Sequence, residues 1–194
     1  MKLMKREFNS VIFFGDSICA GYGVSDRDSF PFLLRETGID VVNLSVSGGT
    51  TVDMINEIHS LKGLEELENV FIMLGFNDIL NGVSVLGTIN SLKKLILEIK
   101  ELGFNIIVGV YPDFNLDELI GDSVFISHGI KQKFYELQRE TMHLINEMEL
   151  EYVDYRNAIN KETENYEDSF FDGLHLSVYG NKLIHKYNIY VLNR

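Results

Sequence analysis

Five short runs rich in Val, Ile and Phe, separated by segments of helical periodicity, restrict this chain to very few folds. The runs lie at residues 11–14, 41–44 with Val46, 70–74, 106–110 and, more weakly, 152–155. Most are continuous rather than alternating, the pattern of strands covered on both faces. Between them Phe30, Leu33 and Leu34, then Val52, Ile55 and Ile58, then Leu92, Leu95, Ile96 and Ile99 recur at helical spacing. Residues 130–150 form a long amphipathic stretch, and Leu183, Ile184 and Tyr187 predict a last helix. Strand and helix therefore alternate from end to end. That predicts an α/β fold in which a five-stranded parallel sheet, built from right-handed crossovers, carries helices on both faces.

A chain of 194 residues is about what five such units require and predicts a single domain over 1–194. With 45% hydrophobic and 24% charged residues it can bury enough apolar surface to offset the entropy of ordering, which excludes disordered and fibrous classes. Seventeen Lys and Arg against 29 Asp and Glu leave a net charge of −12, a field that repels phosphate backbones and anionic lipid surfaces. Nucleic acid is not an expected partner. The single cysteine, Cys19, can form neither an intramolecular disulfide nor a cysteine-based zinc cluster. The first ten residues carry the positive charge of a signal peptide without its apolar stretch. No segment approaches the roughly 20 apolar residues that span a bilayer. The expectation is a cytoplasmic protein with no stable membrane insertion.

In a parallel sheet of this kind ligands bind where the carboxyl ends of strands meet loops. Those ends carry Gly15-Asp16-Ser17, Ser47-Gly48-Gly49-Thr50 and Gly75-Phe76-Asn77-Asp78, all suited to close backbone approach and hydrogen bonding. The connection over residues 111–129 is unusually long for a compact domain and is a candidate lid or binding loop. Its Phe114, Leu116, Leu119, Ile120 and Phe125 suit either an apolar acyl wall or a packed cover.

Near the C-terminus stands Asp172-Gly173-Leu174-His175. An acid three residues before a histidine can turn back onto one ring nitrogen and leave the other free as a base. The missing partner is a nucleophile. Ser17 is the candidate: a tight strand-to-helix turn is expected to expose its side chain, and the N–H groups of a helix N-terminus suit a developing oxyanion. The order Ser…Asp…His is compatible with a hydrolase triad.

Phe14-Gly15-Asp16-Ser17-Ile18, Asn43-Leu44-Ser45-Val46-Ser47-Gly48, Gly75-Phe76-Asn77-Asp78 and Asp172-Gly173-Leu174-His175 resemble, in order and spacing, the four signature blocks of the SGNH (GDSL-type) hydrolases. The resemblance runs from about residue 11 to the last helix. It implies a flavodoxin-like three-layer α/β/α sandwich and a serine esterase that needs no cofactor. It implies Ser17 as nucleophile, His175 as general base and then acid, and Asp172 as the orienting carboxylate. The oxyanion hole implied is the Ser17 and Gly48 N–H groups with the Asn77 side-chain amide. Ile18 replaces the leucine of the namesake motif, a mild apolar exchange. The expected substrates are small or medium carboxylic esters; sugar acetates and long-chain acyl esters or thioesters are the alternatives within that class. A non-catalytic ligand-binding module is the alternative outside it.

Asp16 and Asp78 read as structural, and Cys19 as a small buried residue rather than a thiol nucleophile. Gly48 also suits a turn needing positive φ, a role Gly49 can fill instead. The other histidines, His59, His128, His143 and His185, lie in helical or loop contexts. Glu140-Thr141-Met142-His143 matches half of a di-metal bundle motif that needs two copies, so it reads as a solvated helix face. The acidic run over residues 162–168 leads into Asp172 and should disfavour anionic substrates.

Overall fold

The computed structural model describes residues 8–122 and 129–192. Its regular elements are β1 (Ser10–Phe13), α1 (Ser17–Ala20), α2 (Phe30–Leu33), β2 (Asp40–Asn43), α3 (Thr51–Asn56), β3 (Asn69–Ile72), α4 (Phe76–Leu80), α5 (Val85–Glu101), β4 (Asn105–Val110), α6 (Leu116–Asp122), α7 (Ile130–Glu147), β5 (Glu151–Asp154) and α8 (Val178–Leu192), with short 3₁₀ turns between some of them. The strands form one parallel sheet in the order β2-β1-β3-β4-β5. This is the flavodoxin-like order. The chain leaves β1 for β2 on one side and then crosses to β3 on the other, so a crevice opens at the carboxyl ends of β1 and β3.

Side chains that alternate along each strand divide the core between the two faces. Val11, Phe13, Val41, Phe71, Ile107 and Val153 point to one side, where α2 and α8 bring Phe30 and Ile184 against them. Ile12, Phe14, Val70, Ile72, Ile106 and Val108 point to the other, under Met54 of α3, Leu92 to Ile99 of α5, and Leu144 and Ile145 of α7. Both faces are covered, so β1 and β3 are buried at every position and read as continuous apolar runs. The edge strands β2 and β5 are only partly buried. Among the described residues no helix is long and apolar enough to cross a membrane.

The structure departs from the apolar pattern in four places. β2 stops at Asn43, whose side-chain carbonyl accepts from Ser45 N–H at 3.1 Å, a local turn that ends the strand and leaves Val46 46% exposed. Val52 is exposed, because Thr50 caps α3 with Asp53 and rotates Thr51 and Met54 inward instead. Tyr155 has left β5 and starts a 3₁₀ turn, its ring still buried. The long connection after β4 contains α6. Phe114 and Leu116 are core residues there, with Phe114 packed against Phe76, Phe134 and Phe170, so both belong to a packed cover and not to an acyl wall. Leu119 packs partly buried against the same core. The Ile120 side chain and Phe125 lie outside the described residues, as does His128.

Candidate active site

The chain turns sharply after β1 because Gly15 has no side chain. A Cβ there would stand 2.8 Å from Cys19 Sγ and 2.9 Å from the Met73 carbonyl oxygen. Asp16 then caps α1, its carboxylate accepting from Ile18 N–H at 3.0 Å. Ser17 is the first residue of that helix, so its own N–H has no intrahelical acceptor; at 7% exposure it is more buried than the tight turn predicts. Gly21 closes the short helix in the left-handed conformation, φ 76°. Tyr22 N–H donates back to the Ser17 carbonyl at 3.0 Å.

The turn from Asp172 to His175 meets Ser17 from the other end of the chain. One Asp172 oxygen accepts from the N–H groups of Leu174 at 3.0 Å and His175 at 2.7 Å. The other lies 2.6 Å from His175 Nδ1, and His175 Nε2 lies 3.0 Å from Ser17 Oγ. Partial burial pushes the Asp172 carboxyl up, but the bonds from the His175 ring and from the two N–H groups outweigh it and hold the carboxyl below its ordinary value. An ionised carboxylate can only accept. Nδ1 therefore carries the proton, and the Nε2 lone pair faces Ser17 Oγ. Gly173 makes the turn possible: its φ is +78°, and a Cβ would approach the Asn115 carbonyl oxygen to 2.6 Å and Leu119 N to 2.7 Å. Asn115 and the first turn of α6 thus buttress this turn.

The ends of β2 and β3 are tied to the same place. Gly15 N–H donates to Ser45 Oγ at 3.0 Å, and Val46 N–H donates to the Gly15 carbonyl at 2.9 Å. Asn77 donates one side-chain N–H to the Gly49 carbonyl at 3.1 Å, which orients the amide and leaves its second N–H available. Gly48 takes the positive φ, +77°, and is exposed. Gly49 instead is buried and donates its N–H to the Val46 carbonyl at 2.9 Å. Asp78 accepts from Thr51 N–H and Oγ1 and so pins α3 behind the Gly48 turn; burial raises its carboxyl above the ordinary value.

Two features of the site leave no mark in local sequence. Tyr111, at the end of β4, donates its hydroxyl to Asp16 across 95 positions of sequence, and its own carbonyl accepts from Gln138 Nε2 at 3.0 Å. Burial raises the Asp16 carboxyl to about 6, against the bonds from Tyr111 and Ile18 that lower it. Burial likewise lifts the Tyr111 hydroxyl and the Cys19 thiol well above their ordinary values, so Cys19 is packing and stays a thiol. The second feature is a pair of rings beside His175. Tyr22 lies 4.5 Å from the imidazole and Phe171 stacks on it at 5.6 Å, centroid to centroid.

Ser17, Asp172 and His175 are thus joined in one hydrogen-bonded chain. Gly48 lies on the loop bonded to the Ser17 turn, and Asn77, in the first turn of α4, is bonded to that loop. Asn181 is a buried support that a polar residue inside an amphipathic helix could have signalled: it accepts from Phe30 N–H at 2.9 Å and donates to the Leu176 carbonyl at 3.1 Å. His59 and His143 are exposed, and Glu140 pairs with Arg139 at 3.1 Å, a solvated face of α7.

Known proteins share both sequence and fold with this chain. An arylesterase of Vibrio mimicus is 33% identical over 100 residues, 48% of this chain and 50% of its own length. The thioesterase 1/protease 1/lysophospholipase L1 of Escherichia coli strain K12 is 30% identical over 95 residues, 47% of this chain and 46% of its own. The chain spans about half the length of these curated relatives. A crystal structure of a member of the lipolytic protein G-D-S-L family from Veillonella parvula superposes with a TM-score of 0.80 over 95% of this chain and 98% of its own, at 20% identity. The profile of the GDSL-like lipase/acylhydrolase family matches residues 13–183, a span that takes in all four strand-end and turn motifs. By that match the chain belongs to the GDSL-like lipase/acylhydrolase family.

Proposed function

We propose that this protein is a serine esterase that hydrolyses small or medium, uncharged carboxylic esters through an acyl-enzyme. The observation that carries the reading is the position of His175, 2.6 Å from Asp172 on one nitrogen and 3.0 Å from Ser17 Oγ on the other. Serine is a weak nucleophile at its own pKa, so His175 Nε2 takes the proton as Oγ attacks the ester carbonyl. Asp172 holds the tautomer and stabilises the imidazolium. The tetrahedral oxygen accepts from Ser17 N–H, Gly48 N–H and the second N–H of Asn77, and losing one such donor typically costs on the order of 2.7–4 kcal/mol. The imidazolium then gives its proton to the departing alcohol, and water activated by the same histidine releases the acid. None of these steps calls on a cofactor. The core placement of Phe114 and Leu116 removes two walls of a long acyl channel, which favours short acyl groups over lysophospholipids and acyl thioesters.

A fluorophosphonate probe with a panel of p-nitrophenyl esters from acetate to palmitate tests this. Wild type is labelled and prefers short esters, while Ser17→Ala and His175→Ala fold but lose nearly all turnover. An unlabelled wild type would favour the non-catalytic binder, and an active Ser17→Ala variant would refute the assignment.

A further inference from the structure

The alcohol half of the substrate is the half that His175 must reach. In acylation the Ser17 Oγ–carbonyl bond forms, the carbonyl–alkoxide bond breaks, and the proton taken by Nε2 passes to the departing oxygen. Whatever flanks the imidazole therefore flanks the leaving group. Two large rings do so. Tyr22 is 52% exposed and Phe171 45% exposed, while the His175 side chain beside them is only 17% exposed. Phe171 lies nearly parallel to the imidazole, at 17°, and Tyr22 stacks on Phe171 at 6.3 Å and 26°.

Both rings are carried on backbone bonded to the reacting residues. Tyr22 N–H donates to the Ser17 carbonyl at 3.0 Å, and Phe171 N–H donates to the His175 carbonyl at 3.1 Å. A space is kept for the Phe171 ring by Gly23, where a Cβ would fall 2.2 Å from its Cζ. Unlike the chain's scattered exposed apolar residues, these two rings touch each other and His175, so they form one contiguous apolar patch beside the reacting residues. Flat apolar faces favour offset-stacked or edge-on aromatic partners. The exposed acidic run at residues 162–168, just before Phe170 and Phe171, disfavours an anionic partner.

We propose that Tyr22 and Phe171 form a leaving-group subsite that selects esters of neutral, planar, apolar alcohols of the arylalkyl class. This rests on the assignment of Ser17 as nucleophile and His175 as general acid.

Acetates of benzyl alcohol, cyclohexylmethanol and methanol share one acyl group and differ little in leaving-group acidity, so kcat/KM compares their alcohols directly. The expected order is benzyl, then cyclohexylmethyl, then methyl, with benzyl roughly 5- to 10-fold above cyclohexylmethyl from ring stacking. Phe171→Leu and Tyr22→Leu, which keep apolar bulk and lose planarity, each bring that ratio towards one, and Phe171→Tyr retains it. Equal kcat/KM for the three acetates in wild type would overturn the subsite. So would an equal fall for all three in Phe171→Leu, the result of a ring that merely packs His175, or a preference for an acetylated sugar over benzyl acetate. If no acetate is turned over and Ser17 takes no fluorophosphonate, the esterase assignment itself fails and the subsite with it; good turnover without alcohol preference overturns the subsite alone.

Discussion

Asp16 stands one position before the proposed nucleophile, 2% exposed, with a carboxyl that burial raises to about 6. Tyr111 and Ile18 bond to it, and His175 and Asp78 act on it through space. Folded Asp16 binds its proton more tightly than the unfolded residue, so its contribution to stability falls as pH rises from the ordinary value of 3.8 through about 6 and is constant above that. Asp16→Asn keeps an acceptor for Ile18 N–H and removes this dependence. Urea unfolding should therefore show the variant gaining on wild type by up to about 3 kcal/mol between about pH 4 and about pH 7.5. An unchanged gap would mean that Asp16 does not titrate there. Asp172 has the opposite sign: its depressed carboxyl stabilises the fold above pH 3.8 and loses that contribution as pH falls through its folded value. Asp172→Asn forces the wrong tautomer on His175, so kcat should fall roughly 10³- to 10⁴-fold with little change in KM. A loss below about tenfold would remove Asp172 from the mechanism.

The turn from Asp172 to His175 and the start of α6 act as one structural piece. Gly173 at φ +78° lies against Asn115 and Leu119, whereas Gly48 at φ +77° faces open space. Alanine at either position costs on the order of 1–2 kcal/mol for the left-handed backbone. Gly173→Ala adds a clash and should lower the Tm further than Gly48→Ala and displace His175, visible as slower fluorophosphonate labelling. Equal Tm values for the two variants would contradict the packing. At this scale the strands were legible because coverage on both faces writes a run of apolar residues into the chain. The four signature blocks were legible because each sits within a few residues of a strand end. Val46 and Val52 misled for a shared reason: the Asn43 turn and the Thr50–Asp53 cap, both side-chain-to-backbone bonds, reset the phase of the pattern. Tyr22, Phe171 and Tyr111 were invisible as site residues because their roles depend on distant partners: Tyr22 meets Phe171 and His175 near the other end of the chain, and Tyr111 meets Asp16 across 95 positions.

The whole molecule gathers three strand ends and one C-terminal turn at the crevice between β1 and β3, while the face under α3, α5 and α7 is closed core. Its net charge of −12 acts over that crevice at long range. Raising ionic strength from about 0.02 to about 0.5 M should increase kcat/KM for a hemisuccinate ester severalfold and leave a neutral ester of similar size unchanged. Parallel responses of the two would remove charge from the account of selectivity. In the proposed mechanism the ester's acyl group passes through Ser17. Acid quenching during p-nitrophenyl acetate turnover, followed by peptide mass mapping, reads this directly. The expected result is a single acetyl group on Ser17 that is absent from the Ser17→Ala protein; acetylation at another residue, or turnover with no acetyl-enzyme even in a pre-steady-state burst, would contradict an acyl-enzyme on Ser17.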